Sequence, residues 1–207
     1  MVREDVQTVT IPAPNIQLVN VNIRGKSPLV MHQWSEKARG ELGGDNGPKK
    51  KKPPRDPAEA FMGSIWWLSD RPEKNDTKLP KGARVGIPGG AFKKAIVSAT
   101  RNLNDKSIPM TLVRQSIFVL GEIIEMDFDE CRMREDIVRV ANGAPDMRWR
   151  PEFPNWSCTV PVEFDANVFQ AKDVINLLNL AGNYVGLLEG RPEKNSGLGW
   201  GRFEVVS

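Results

Sequence analysis

Four glycines near the carboxyl end of the chain constrain its fold more than any other feature. These glycines are Gly190, Gly197, Gly199 and Gly201. They lie between an apolar helical pattern that ends near Leu188 and a short alternating strand, 202–206. Because glycine has no Cβ, such a loop lets another backbone or a phosphate approach closely. The order of helix, glycine loop and strand is the reverse of the dinucleotide-binding fingerprint, so the sequence excludes a simple Rossmann interpretation.

Length and composition favour one globular domain, 1–207, with hydrophobic residues making up 40 % of the chain. No apolar run approaches the roughly 18 residues of a membrane-spanning helix, and the polar amino-terminal segment is unlike a signal peptide. Cys131 and Cys158 lack metal-binding spacing, and His32 is the only histidine. We therefore expect no zinc site, no disulfide framework, no metal and no cofactor, in a cytoplasmic protein.

Charge is distributed unevenly along the chain, although its net value is only +3. Residues 1–110 carry 19 lysines and arginines against 11 acidic residues, whereas the remainder carries 10 against 15. A basic half joined to an acidic half favours a surface that binds a polyanion. It is also typical of a head-to-tail oligomer, in which unlike faces of neighbours meet, and an ordinary solvated surface is the third explanation.

Apolar periodicity predicts the first elements. Residues 16–24 alternate between apolar and polar side chains, which predicts a strand with one wet face. Residues 26–86 are irregular and predict a long insertion, with a mobile loop at 43–56 that contains four consecutive lysines. A helix is predicted to start at Asp56-Pro57. Its predicted buried stripe is Phe61, Ile65 and Leu68.

The second half predicts further strands and two core helices. A helix follows Gly89-Gly90, with an apolar face of Phe92, Ala95, Ile96 and Ala99. Residues 112–128 predict one long strand or a hairpin around Gly121. Residues 137–141 and 159–164 predict a strand pair, separated by a proline-broken segment within a second insertion, 129–158. The last helix is predicted over 171–188.

Together these elements run β, helix, β, β, helix, β. This order predicts an α+β fold with a split βαβ core, in which an antiparallel sheet carries two helices on one face. The opposite face of such a sheet commonly binds single-stranded nucleic acid. We therefore expect lysines and arginines to form a continuous positive groove across the open face.

Two segments resemble a known family. GIPGGAFKKAIVSATRN resembles the start of the first core helix in the RAMP superfamily, the backbone subunits of CRISPR effector complexes. GLGWGRFEV, from Gly197 to Val205, resembles the glycine-rich loop and last strand of that superfamily. RPEFPNWSCTVPVEF, followed by LLNLAGNYVGLLEGRPEKNSGLGWGRF, is also similar to uncharacterised bacteriophage proteins with the same core.

The resemblance implies a ferredoxin-like, RRM-like core that stacks head-to-tail along single-stranded nucleic acid in a bacterial host cell. It implies basic contacts from Lys93, Lys94 and Arg101. It also implies that residues 26–86 form finger-like and thumb-like insertions around the strand.

Other candidate contacts come from the residues themselves. The lysine run 49–52 is either a phosphate-neutralising arm or a solvated loop, and Trp149 between two arginines is either a base-stacking residue or part of the core. The full predicted nucleic-acid-binding set is Arg24, Lys26, Lys49, Lys50, Lys51, Lys52, Lys93, Lys94, Arg101, Arg148, Trp149, Arg150, Arg191 and Lys194.

The predicted function is non-catalytic binding of single-stranded nucleic acid, DNA slightly preferred over RNA, by a homo-oligomer or filament that does not contact membranes. It would serve phage DNA replication or recombination, or act as a CRISPR-backbone-like subunit. One alternative is a RAMP-type RNA endonuclease with His32 as general base. Another is a structural or regulatory assembly protein. Asp127, Asp129 and Glu130 could form a magnesium-dependent nuclease cluster, although this spacing is common in surface turns.

Overall fold

A computed structural model describes residues 11–33, 55–103, 108–139, 143, 145–194 and 197–206 of the chain. All structural statements below concern those residues. In chain order the regular elements are β1 (Ile16–Gly25), β2 (Leu29–Val30), α1 (Pro57–Gly63), β3 (Gly86–Pro88), α2 (Gly89–Ala99), a 3-10 turn (Thr100–Asn102), α3 (Met110–Ser116), β4 (Ile117–Val119), β5 (Ile123–Glu125), β6 (Asp127–Phe128), β7 (Arg132–Arg139), β8 (Pro145–Phe153), β9 (Trp156–Asp165), α4 (Ala171–Leu180), a π-helical turn (Ala181–Val185) and β10 (Phe203–Val205).

The main sheet is antiparallel, with strand order β10-β1-β9-β4 and β6 also paired to β9. The strand predicted at 16–24 is confirmed as β1. Its alternation places Val21 and Ile23 in the core, where they are buried. A second sheet has the order β2-β8-β7, and β3 pairs with β5. The chain is thus an α+β fold with antiparallel sheets, and four α-helices lie within the described residues.

Helices α2 and α4 pack on each other and on the buried face of the main sheet. The predicted apolar face of α2 is confirmed, because Phe92, Ala95, Ile96 and Ala99 are all buried. Phe92 and Trp156 both meet the ring of Phe203 edge-on, at centroid distances of 6.1 and 6.3 Å. These aromatic contacts tie the last strand to α2 and β9.

The prediction of β-structure over 112–128 is wrong in its first part, because residues 110–116 form α3. Val113 is fully buried there, and Lys93 Nζ donates to the main-chain oxygen of Arg114 at 2.7 Å. These tertiary contacts outweigh the strand propensity of the local sequence. The predicted turn at Gly121 exists, but β4 and β5 do not pair with each other, since β5 joins β3.

The predicted pairing of 137–141 with 159–164 is also wrong. β7 pairs with β8, and β9 pairs with β1, so the segment interpreted as proline-broken is itself a strand. Pro145 is the first residue of β8, where a missing N–H is tolerated. The carbonyl of Pro151 accepts from the Met31 N–H. Because the nitrogen and the carbonyl of a strand residue point to the same side, the Pro151 nitrogen also faces the end of the two-residue strand β2. The bond that Pro151 cannot donate therefore lies just beyond the paired residues of the β2–β8 ladder.

The helix ends were predicted too late in two places. The predicted helix 171–188 ends at Val185 because Gly186 adopts φ +70° and Leu188 adopts φ +57°. α1 starts at its Asp56 cap as predicted but ends at Gly63, which leaves Leu68 37 % exposed while Phe61 and Ile65 are buried. No helix within the described residues combines the length and apolar character needed to cross a membrane.

Candidate nucleic-acid interface

The C-terminal loop, whose described residues are 187–194 and 197–201, is tied to the rest of the protein by its own backbone. The Leu187 N–H donates to Gly201 O at 2.9 Å, and the Gly201 N–H donates to Pro28 O at 2.8 Å. A Cβ on Gly201 would overlap the backbone of Leu187, and one on Gly190 would overlap the ring of Trp200. The close neighbour predicted for the glycine loop is therefore this chain's own backbone and Trp200. Gly197 and Gly199 have positive φ values on either side of Leu198, which is 55 % exposed, and a Cβ on either would meet at most the Lys194 carbonyl oxygen, at 3.9 Å from Gly197.

Trp200 joins the C-terminal loop to the β7–β8 hairpin. The Arg134 guanidinium lies over its ring at 4.2 Å, and that of Arg150 lies 6.0 Å away. Cation–π contacts of this kind stabilise a protein by about 0.5–2 kcal/mol, depending on burial. Trp200 is therefore placed as a packing residue, with Gly190 at its ring.

A cavity of about 320 Å³ separates the first turns of α2 from the C-terminal loop. It lies between the α2 segment, on which part of the family resemblance was based, and residues 185–193. Its walls are mainly apolar, and three charged side chains lie among its lining residues. The lining includes Trp66, Gly90, Ala91, Lys94, Arg191 and Glu193.

A second depression, of about 250 Å³, shares Lys94 with the first and continues along α2 to α3. Lys93 lies at this depression, 4.5 Å above the Phe118 ring, and burial lowers its pKa, with the Arg114 charge acting in the same direction. None of the described acidic side chains pairs with Lys94 or Arg114. These two cations are free to meet an anionic ligand.

The cations beside the two depressions form a single surface, which we call the α2 basic surface. Its members are Lys93, Lys94, Arg101, Arg114 and Arg191. Glu193 lies among them: it accepts from the Ser98 hydroxyl and pairs with Arg101 at 3.4 Å and Arg191 at 3.5 Å. Five cations and one carboxylate give the surface a net charge of +4. Four of the cations were in the predicted set, whereas Arg114 was missed because it lay in a predicted strand.

The predicted residues of the β7–β8 hairpin form a separate ionic cluster. Arg150 is 3 % exposed and pairs with Asp136 at 2.7 Å and Glu189 at 3.4 Å. Lys194 also pairs with Glu189, at 2.7 Å. The prediction that Arg150 contacts the nucleic acid needs correction, because these ion pairs enclose its guanidinium.

Two further predicted hairpin residues lie beside this cluster. Arg148 pairs with Asp146 at 3.4 Å, and Trp149 is half-buried opposite Glu135 in the β7–β8 ladder. That Arg148 and Trp149 contact the nucleic acid stays a prediction.

The expectation of a positive groove across the open sheet face is wrong for the described residues. Arg24 lies on that face but pairs with Glu204 at 2.7 Å. The strand register places Glu163 and Asp127 on the same face. Lys26, beyond the end of β1, donates to the Asn183 amide at 3.1 Å. The open face therefore carries more acidic than basic groups, and the cations collect beside α2 instead.

The remaining candidates do not join the α2 basic surface. His32 is partly buried near Arg148, Arg150, Glu189 and Lys194, and burial lowers its pKa, with Arg148 as the second cause. Within the described ranges, no three His, Cys, Asp or Glu side chains are grouped so that they could hold a metal ion. Burial raises the pKa of the Cys131 and Cys158 thiols to about 12. The predicted lysine arm 49–52 lies outside the described residues.

Comparison with known proteins identifies a fold but no sequence family. No protein-family model matches the chain, and no curated protein matches it. A chain of the Type III-B Cmr-beta complex, determined by cryo-electron microscopy with cognate target RNA bound, matches 93 % of this chain with a TM-score of 0.53 and 11 % identity. This chain covers 60 % of that chain's length. Cmr6 from Pyrococcus furiosus matches with a TM-score of 0.46 and 12 % identity, over 93 % of this chain and 98 % of Cmr6. The likeness to the Cmr-beta chain is one of fold alone.

Proposed function

We propose that this protein binds single-stranded nucleic acid without cleaving it, and that the α2 basic surface neutralises the phosphates. The observation that carries the proposal is a set of cations with a net charge of +4 beside two depressions. Lys94 and Arg114 in this set have no acidic partner among the described residues. Phosphate neutralisation by lysine and arginine supplies most of the affinity of sequence-independent strand binding.

The fold supports this proposal. The order β1-α2-β4-β9-α4-β10, with the strand order β10-β1-β9-β4, supports a ferredoxin-like, RRM-like core. The Cmr-beta complex that contains a chain of similar fold holds target RNA. RNA is therefore the first ligand to test, whereas the slight preference for DNA and the phage setting stay predictions from the sequence.

Head-to-tail self-assembly along the strand is part of the proposal. Opposite charge on different faces of the chain supports it, because the open sheet face carries Glu163, Asp127 and Glu204 whereas the α2 side is basic. Heterologous contacts join unlike faces of neighbouring copies, and complementary charge favours them. Size-exclusion chromatography with light scattering should show growth only when an oligonucleotide is added. Growth without a strand would favour a structural assembly protein instead.

Fluorescence anisotropy tests the binding itself. Labelled oligouridine and oligothymidine of about 20 nucleotides, longer than the roughly 4–16-nucleotide site of a typical single-strand-binding domain, should each saturate the protein at low salt. A duplex of the same length is the control, and it should bind more weakly. Absence of saturable binding to both single strands at about 50 mM salt, where phosphate contacts are strong, would overturn the proposal.

Cleavage is tested separately with labelled RNA. We expect the RNA to stay intact with the wild type and with His32→Ala. His32 is partly buried, and none of the described hydrogen bonds engages its Nδ1 atom. Degradation by the wild type that His32→Ala abolishes would establish the endonuclease alternative.

A further inference from the structure

We propose that the 320 Å³ cavity between α2 and the C-terminal loop, here called the base pocket, receives one unstacked nucleobase of the bound strand. This inference rests on the proposed function and names a specific contact within it. It assigns a site that the sequence motifs did not indicate, because Trp66 in its wall belongs to a segment predicted to be a loop-like insertion.

The size of the base pocket selects its occupant. A volume of about 320 Å³ lies at the small end of the roughly 300–1,000 Å³ that proteins use for small molecules. It accommodates a single planar base and not a folded stretch of strand. Single-stranded nucleic acid can present such a base, because its bases are not committed to pairing.

The chemistry of the walls also fits a base. Apolar side chains such as Ala91, Ala95 and Leu187 line the cavity beside the Trp66 indole, and bases stack favourably on aromatic surfaces. Trp66 is only partly buried, and no described hydrogen bond engages its indole N–H. The neighbouring Trp67, by contrast, donates to Met62 O at 3.1 Å and does not line the cavity.

The charged side chains are arranged so that different groups can contact a base and its phosphate. Lys94 is exposed and lines both depressions, so it can bind a backbone phosphate while the base enters the cavity. Arg191 also lines the base pocket, but its Nη1 donates to Leu188 O at 3.1 Å and its Nε lies 3.5 Å from Glu193. Glu193 supplies a carboxylate in the same wall, which can accept from the N–H groups on the edge of a base.

A plug variant tests the base pocket without threatening the fold. Gly90 lines the cavity, and a Cβ built on it meets no other heavy atom within 4 Å. Gly90→Leu should therefore fold and occupy part of the cavity. Trp66→Leu removes the aromatic wall, and Trp67→Leu is its matched control at the neighbouring position outside the cavity.

Each variant is measured against two strands of equal charge, one with bases and one in which the bases are replaced by abasic spacers. Wild type should bind the abasic strand roughly 5- to 150-fold more weakly, the range expected for loss of about 1–3 kcal/mol of aromatic stacking. Gly90→Leu and Trp66→Leu should weaken binding of the normal strand to the same level and leave the abasic strand unaffected. The salt dependence should not change, since the phosphates are the same.

The outcomes separate the base pocket from the function on which it depends. Strong binding of both strands by the wild type, with no effect of Gly90→Leu, would overturn the base pocket and leave strand binding intact. Absence of binding to either strand would overturn both. Titration with free AMP distinguishes the source of the base: saturation at micromolar concentration that Gly90→Leu blocks would assign the pocket to a free nucleotide and overturn the strand-bound assignment.

Discussion

The salt dependence of strand binding tests the α2 basic surface directly. The surface has a net charge of +4, and about four neutralised phosphates give a slope of log K against log salt near −2.8 for a single strand. The affinity of the wild type should then fall by about 50-fold between roughly 50 and 200 mM salt. The double variant Lys94→Ala/Arg114→Ala removes the two cations without acidic partners. Its slope should be near −1.4, which corresponds to about a 7-fold fall over the same range.

Fluorescence anisotropy with labelled oligouridine measures both slopes. The matched control is Lys78→Ala/Lys81→Ala, which removes two exposed cations from the segment before β3, away from the α2 basic surface. This control should keep the slope of the wild type. A slope that is unchanged in Lys94→Ala/Arg114→Ala but reduced in Lys78→Ala/Lys81→Ala would refute the α2 basic surface and favour the insertion as the strand-binding element.

Three further predictions concern stability. Gly182→Ala should lower the free energy of unfolding by about 1–3 kcal/mol, because its Cβ would lie inside contact distance of the Phe203 carbonyl. Gly90→Ala should raise the free energy of unfolding by up to about 1 kcal/mol, because its Cβ meets no other atom. Thermal denaturation measures both, and a Gly182→Ala variant more stable than the wild type would contradict this packing. Trp200→Ala should lower the free energy of unfolding by about 1–3 kcal/mol, below the range for a fully buried tryptophan because Trp200 is only partly buried; a wild-type melting temperature is the contrary result. The pKa of His32 is lowered in the folded state, so on acidification the unfolded state binds a proton at a higher pH than the folded state does. The free energy of unfolding should therefore fall as the pH drops below about 6.5. A His32→Gln variant with the same pH profile as the wild type would exclude His32 as the cause.

Part of the candidate site could be predicted because its signals are local. Lys93, Lys94 and Arg101 follow from the resemblance of the α2 segment, and Arg191 follows from its place beside the glycine loop. Arg150 was predicted to contact the nucleic acid on the same kind of local signal, but in the structure it is buried between Asp136 and Glu189. Whether an arginine meets a phosphate or a carboxylate depends on residues distant in sequence, which a local pattern does not contain.

The amino-acid sequence by itself determined the strand β1, the apolar face of α2 and the glycine-dependent approach of the C-terminal loop. Side-chain alternation, helical spacing and the absence of a Cβ act over a few residues, so they can be recognised without a partner. Tertiary structure alone decided that residues 110–116 are helical, that β8 pairs with β7, and that Trp66 and Lys94 line one cavity. These outcomes depend on contacts between distant segments, whose combined free energy exceeds the small local preferences that opposed them.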